Sequence, residues 1–274
     1  MSTLDLMFNS AKESIPTINV AKRDVFGFKS STDGYQPKFI KGNLFIKSQA
    51  TIGGVRMRDD IVEIIASNLC DDLNIYHVRQ SPCIVDFEGV ISKGVVSRNF
   101  MMDGHTFISF MSFLEFNRIS YINEELNKGN AVTKMKLCAK SVSEYCSICY
   151  EDYLRYLINM AVIDCLVANT DRHLRNFGVF KNEAGDILVP MIFDNGMGVL
   201  ENTPYRDSIK TLEEADRYLY ISPYGEDPFD MIDILFDNFD MSGYDFNNIK
   251  TPENFPNSIS VKYFDKMLNY ILRR

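Results

Sequence analysis

The sequence predicts an α+β protein built in two lobes, a β-rich N-terminal lobe over residues 1–105 and a mostly helical C-terminal lobe over residues 106–274. Three observations predict it. Short β-branched and aromatic runs, separated by turn residues, fill the chain up to Val96. From Phe107 the apolar spacing lengthens to that of helices. A strand–turn–strand pattern then interrupts the helices between Asn169 and Gly196. With 46% hydrophobic residues in 274, the chain has the means to bury a sizeable core.

Residues 17–48 read as a small antiparallel sheet. Thr17 to Phe28 is alternating and β-branched, and Lys38–Lys41 and Leu44–Lys47 flank Gly42-Asn43, a short hairpin turn. Between them, Ser30 to Lys38 has the composition of an ordinary turn, although small polar residues with a glycine also suit backbone N–H contacts to phosphate. Asp59 to Leu69 reads as an aspartate-capped helix, amphipathic through Ile61, Ile64, Ile65 and Leu69. Ile75–Val85 and Val90–Val96 should complete the sheet, and Asp103-Gly104-His105 marks the lobe boundary. Phe110, Phe113, Leu114, Phe116 and Ile119 begin the helical region. Gly129-Asn130 breaks it, and Val132 to Tyr150 resumes it. Leu154, Leu157, Ile158, Ala161, Val162, Cys165 and Leu166 form the stripe of a buried helix that ends near Asn169. Asp227–Asp240 and Ser258–Leu272 read as two closing helices, joined by a loop rich in Asn, Gly, Pro and Ser.

The chemistry gathers in Asn169–Gly196. Asn169-Thr170-Asp171 is poor helix material, since short polar side chains compete for backbone hydrogen bonds. Asp171 therefore stands at a helix exit, where a carboxylate is able to take the proton of an attacking hydroxyl. Five residues on, Asn176 offers a neutral amide oxygen, a magnesium ligand that adds no negative charge beside phosphates. Strands Phe177–Phe180 and Ile187–Phe193, joined by Asn182–Asp186, should carry Asp194 back beside Asn176 as a second ligand. Gly196 and Gly198 behind it are expected to allow close backbone approach to a phosphate. The set reads as the catalytic and metal-binding core of a phosphoryl-transfer enzyme.

D-R-H-x-x-N from Asp171 to Asn176, with an aspartate eighteen residues after the Asn, resembles the catalytic segment of HipA-like serine/threonine kinases. It is also similar to the matching segment of phosphatidylinositol kinases. S-x-x-G-x-Q-P-K, here Ser31, Gly34, Gln36, Pro37 and Lys38, resembles the phosphate loop of the HipA-like family, whose leading serine is a site of inhibitory autophosphorylation in characterised members. The resemblance thus implies a two-lobed protein-kinase-like fold, ATP and Mg2+ as cofactors, and Ser31 as the regulatory site, with Ser30 and Thr32 close enough to substitute. Only nine residues separate Lys38 from Lys47, a tighter hairpin than in the long members. By analogy with the strand lysine and helix glutamate of protein kinases, Lys47 is chosen for the α- and β-phosphates, with Lys41 as runner-up, and Glu63 as its ion-pair partner. A solvated lysine is the lesser alternative for Lys47, whereas Glu63 is equally at home facing water near a helix N-terminus. His173 is read as supporting the loop or assisting proton transfer. Arg172 and Arg175 either orient the loop or meet a substrate anion.

A net charge of −8 and a pI near 5.0 argue against broad nucleic-acid binding, because no basic excess displaces counterions from a phosphate backbone. The first twenty residues lack a secretory apolar core, and no apolar run approaches membrane-spanning length, so a cytoplasmic protein is expected. The six cysteines read as reduced core thiols. Cys146 and Cys149 share a helical face rather than form half a zinc site, and His77 and His105 stand alone.

The expected activity is transfer of the ATP γ-phosphate to a protein serine or threonine. The resemblance adds bacterial or phage origin and a toxin–antitoxin setting. The extra N-terminal subdomain of long HipA proteins is expected to be absent, so an antitoxin partner would bind elsewhere. Three rivals share parts of the site. A lipid kinase should show a basic membrane-facing segment. A small-molecule kinase would need acids for its acceptor, for which Asp227, Asp230 and Asp233 are candidates. A nucleotide-binding regulatory module would have no need of Asp171. After Gly198, Glu201 to Asp207 is read as a substrate or activation segment.

Overall fold

A computed structural model of the chain describes residues 15–26, 36–52, 54–101, 105–119, 122, 126, 128–198, 209–252, 254–255 and 257–274. Ser30, Ser31, Thr32, Gly34, the turn at Asp103-Gly104 and the segment Glu201–Asp207 lie outside the described residues.

Strands β1 (Thr17–Val20), β2 (Val25–Phe26), β3 (Lys38–Lys41), β4 (Leu44–Ser48), β7 (Ser81–Phe87) and β8 (Val90–Arg98) form a six-stranded sheet in the order β1-β7-β8-β4-β3-β2. A two-stranded hairpin, β5 (Thr51–Ile52) and β6 (Val55–Arg56), precedes helix α1 (Asp59–Asp72). The sheet is mixed, within the expected mixed or antiparallel arrangement, but β1 does not join the antiparallel strands of residues 17–48: it lies parallel to β7 at the far edge, and a single helical turn at Lys22–Asp24 parts it from β2. The sheet also curls. Phe39 of β3 reaches Phe87 of β7 across two intervening strands, their rings 5.2 Å apart, and a small core of Val20, Phe39, Ile46, Cys83 and Val85 fills the inside of the curl.

Alternation sends the other residues of β3 and β4 to the opposite face. Lys38 pairs with Lys47, and Ile40 with Phe45. On that face lies α1, buried along most of its length between the sheet and the main core, to which it contributes Val62, Ile65, Ala66, Leu69 and Cys70. Asp59 is its first residue rather than its cap. Its carboxylate accepts from the Ala50 N–H instead, at 3.2 Å.

The second part is helical: α2 (Phe110–Phe116), α3 (Ala131–Tyr145), α4 (Tyr150–Val167), α5 (Leu212–Ala215), α6 (Pro228–Asn238) and α7 (Ser258–Ile271). Its axis is α4, whose Tyr153, Leu157, Met160, Ala161, Val162, Cys165 and Leu166 are buried. The Cys146–Cys149 pair falls in the break between α3 and α4, not within a helix, and all six cysteines are free thiols. Asp227 caps α6 through the Phe229 N–H at 2.8 Å. No helix among the described residues is long and apolar enough to cross a membrane.

A three-stranded sheet, β9 (Thr106–Ser109), β10 (Gly178–Lys181) and β11 (Ile187–Leu188), joins the two parts. The sequence put Phe107 in the helical region. Pairing with β10 makes Thr106–Ser109 a strand, since four residues are too short for local periodicity to compete with a ladder. β11 is shorter than expected because Pro190 has no N–H to donate. The chain then leaves β10 and pairs instead with the segment before β7, where the Val78 N–H donates to Ile192 at 2.9 Å. A relay of phenylalanine rings, Phe45 to Phe100 to Phe193 to Phe107, with centroids 5.0–5.3 Å apart, holds the two sheets together just before Asp194.

Candidate active site

Lys47 is the anchor. It is almost fully buried, its ammonium bonded to Glu63 Oε1 of α1 and lying 2.7 Å from Asp194 Oδ1. Burial would lower its pKa, but the Asp194 and Glu63 carboxylates outweigh this and hold it charged beyond the ordinary lysine range. Asp194 is the reciprocal case. Burial would raise it, yet Lys47 and then Lys38 keep its carboxyl well below the usual carboxylate range. Lys38 Nζ stands 3.8 Å from Asp194 Oδ2. Of the two lysines weighed for this place, register decides: Lys41 lies an odd number of residues from Lys38, so it takes the other face and bonds the Asn19 carbonyl. Glu63 does not face water, and its Oε2 is buried without a hydrogen bond among the described residues.

The loop is built on α4. That helix ends with Ala168 in the left-handed region at φ +49°, and Asn169 N–H returns to the Asp164 carbonyl at 2.8 Å. Asp164 itself is fully buried. Arg172, also fully buried, grips both of its oxygens at 3.0 and 2.9 Å, and the remaining nitrogen reaches the Phe193 carbonyl at 2.7 Å and the Asp194 carbonyl at 3.4 Å. Arg172 therefore orients the loop and ties it to the Asp194 segment. Asp194 has φ +62°, a backbone strain of roughly 1–3 kcal/mol for a residue with a side chain. Arg172 below and Lys47 above hold it there.

Asn176 is buried, its N–H on the His173 carbonyl at 2.9 Å and its amide nitrogen on the Asp171 carbonyl at 3.1 Å. Among the described residues nothing donates to its side-chain oxygen. His173 is exposed, and its Nδ1 accepts from the Arg175 N–H at 3.3 Å, so it braces the loop. Asp171 opens to the surface. Burial of its carboxyl raises the pKa, with the His173 charge opposing and the Asp194 charge adding. Gly196 and Gly198 are required by packing: a Cβ on Gly196 would sit 3.3 Å from Asp59 Cβ and 3.4 Å from Glu63 Cγ, and one on Gly198 would lie 2.5 Å from the Val167 carbonyl. Beside them, burial pushes the Asp59 carboxyl up to about 7.

The donor set suits magnesium. No three His, Cys, Asp or Glu side chains gather as a metal centre among the described residues. One carboxylate, Asp194, and one amide oxygen, Asn176, match a hard cation that completes its shell with phosphate oxygens and water. Lys38 closes the site from the β3 side, and Gln36 precedes it by two residues. Sequence reasoning passed over Asp164, Asn169 and Asn195, all buried on Arg172 or on each other. A single acid inside the apolar run Leu157–Val167 was the available signal.

The curled sheet, the buried lysine–glutamate pair and the helical part define a protein-kinase-like fold of two lobes, as the D-R-H-x-x-N resemblance implied. Among solved structures, the chain is similar to CtkA, a proinflammatory kinase of Helicobacter pylori, at 15% identity and a TM-score of 0.55 over 94% of each chain. It is also similar to HipA of the Shewanella oneidensis MR-1 toxin–antitoxin system, in a complex with HipB and operator DNA. That match has 15% identity and a TM-score of 0.43 and covers 89% of this chain and 65% of HipA. No protein-family model and no curated protein matches the chain.

Proposed function

We propose that the protein is an ATP-dependent kinase of HipA-like type that phosphorylates protein serine or threonine in the cytoplasm. The observation that carries this reading is the buried Glu63–Lys47–Asp194 chain, set against a loop bearing Asp171 and Asn176. The likeness to CtkA, described as a kinase, supports it.

Lys47, fixed by Glu63, neutralises the α- and β-phosphates. Asp194 and Asn176 hold magnesium, which when bound offsets the charge of the phosphate oxygens. Asp171 accepts the acceptor's proton as the hydroxyl oxygen bonds to the γ-phosphorus, the bridging bond to the β-phosphate breaks, and ADP leaves with the electron pair. A carboxyl raised by burial is a better base for this than an ordinary surface aspartate. Two of the three acids that a small-molecule acceptor would need are engaged elsewhere: Asp227 caps α6, and Asp233 is held by Tyr270 and Arg274. An antitoxin-like protein partner, and Ser31 with its neighbours as the self-modified site, belong to the same proposal.

Purified protein is incubated with Mg-ATP, its intact mass measured and any phosphate mapped, with Asp171→Asn and Asp194→Ala as controls. Phosphate gained at Ser31 or its neighbours by the wild type alone is the expected result. No transfer to itself or to any protein acceptor, with ATP binding intact, overturns the kinase reading in favour of a nucleotide-binding regulator.

A further inference from the structure

Lys38 and Lys47 stand directly opposite each other in the β3–β4 pair. Like charges so placed repel and weaken a sheet unless an anion lies between them. Asp194 is that anion, but it holds the two lysines differently. Lys47 has Glu63 as a second partner and a 2.7 Å contact to Oδ1. Lys38 has only the 3.8 Å contact to Oδ2 among the described residues, too long for a hydrogen bond. One cation is locked and the other is held by charge alone.

The neighbouring residue supplies a second observation. Gln36 Nε2, two residues before Lys38, is buried with no acceptor among the described residues. Pro37 between them is fixed to the ladder by the Ser48 N–H at 2.9 Å. A buried donor without an acceptor among the described residues, two positions along an extended segment from an ammonium with a single weak partner, suits an anion.

We propose that Lys38 is the exchangeable counterion of Asp194: it yields Oδ2 to a divalent cation and pairs instead, beside Gln36, with a phosphate oxygen of the nucleotide. This rests on the reading of Asp194 as a metal ligand. The exchange keeps Asp194 compensated at all times and places a second lysine on the phosphates. It also couples the two ligands, since Lys38 leaves Asp194 more readily when a phosphate is there to receive it.

The test uses the full chain and Mn2+ as probe, read by electron paramagnetic resonance without nucleotide, together with the affinity for a fluorescent ATP analogue. Lys38→Met removes a competing unit charge at Oδ2 and is expected to tighten Mn2+ about tenfold while weakening the nucleotide about tenfold. Lys38→Gln should behave alike, and Lys38→Arg should keep the wild-type Mn2+ affinity. Gln36→Leu should weaken the nucleotide and leave Mn2+ unchanged. If Asp194→Ala abolishes Mn2+ binding but neither neutral Lys38 variant tightens it, the exchange is refuted and the metal-ligand reading stands. Mn2+ binding that survives Asp194→Ala overturns both.

Discussion

Replacing either member of the Asp164–Arg172 pair should unfold the protein more readily than any single change at its surface. Arg172→Leu leaves the Asp164 carboxylate, fully buried, with only the Asn169 amide at 2.8 Å among the described residues, and strips the Phe193 carbonyl of its 2.7 Å donor. Asp164→Leu leaves a buried guanidinium with Asn195 and two carbonyls. Removing one partner of a buried pair costs about 3–5 kcal/mol, because the survivor keeps its charge and loses its compensation. At roughly 2–3 °C per kcal/mol for a chain of this size, the melting temperature should fall by roughly 6–15 °C. The double variant should recover most of that loss, since two apolar side chains in the same space leave no charge to bury. It should still fail in phosphotransfer, because nothing then ties the loop to the backbone of Asp194. Urea unfolding of the two singles and the double, followed by circular dichroism, gives the cycle. Single losses under about 1 kcal/mol, or a double loss equal to their sum, would refute the assignment of Arg172 as a buried tie.

Three further outcomes follow from the same geometry. Glu63→Gln neutralises one of the two carboxylates on Lys47, and should lower the transfer rate about 10²-fold, as small displacements of a positioning group do, with little change in nucleotide affinity; an unchanged rate in single-turnover assays would speak against it. The rate should rise with pH as Asp171 deprotonates and be lost as pH falls through its raised pKa. His173→Ala, which removes an opposing charge, should move that limb to higher pH, and a limb at the ordinary carboxylate position would count against the role of burial. Asp59 is raised from 3.8 to about 7 in the fold, so its contribution to stability is full below 3.8 and lost as pH rises through 7. Asp59→Asn, which can still accept from the Ala50 N–H, should therefore stabilise the protein by about 2–3 kcal/mol more at pH 8 than at pH 5; equal melting shifts at the two pH values would contradict this.

What could be read from the sequence divides by how far apart the cooperating residues lie. Asp171 and Asn176 are five residues apart on one helix exit, and the hairpin that returns Asp194 is marked by its own turn residues, whose Asn182 side chain closes the loop on the Asp186 N–H at 2.7 Å. Such spacing is local and survives as a pattern. The choice between Lys41 and Lys47 was not local. It turned on the register of β3 against β4, which the turn at Gly42-Asn43 fixes only when φ +58° at Gly42 is known. β1 was misplaced for the same reason, since its parallel partner β7 lies beyond α1 and carries no mark of the pairing. The neighbours of the glycines after Asp194, which are Glu63, Asp59 and the end of α4, are likewise invisible in local sequence. The charges that matter are therefore wired across the chain: Lys47 to Glu63 and Asp194, Arg172 to Asp164 and the Asp194 backbone. Asp194 is the residue both wires share. A φ of +62° at a non-glycine position is tolerable there because one buried cation holds its carboxylate and another its carbonyl. The strain thus sits on the residue that is proposed to exchange its counterion, and it is held by Lys47 through the side chain and by Arg172 through the backbone.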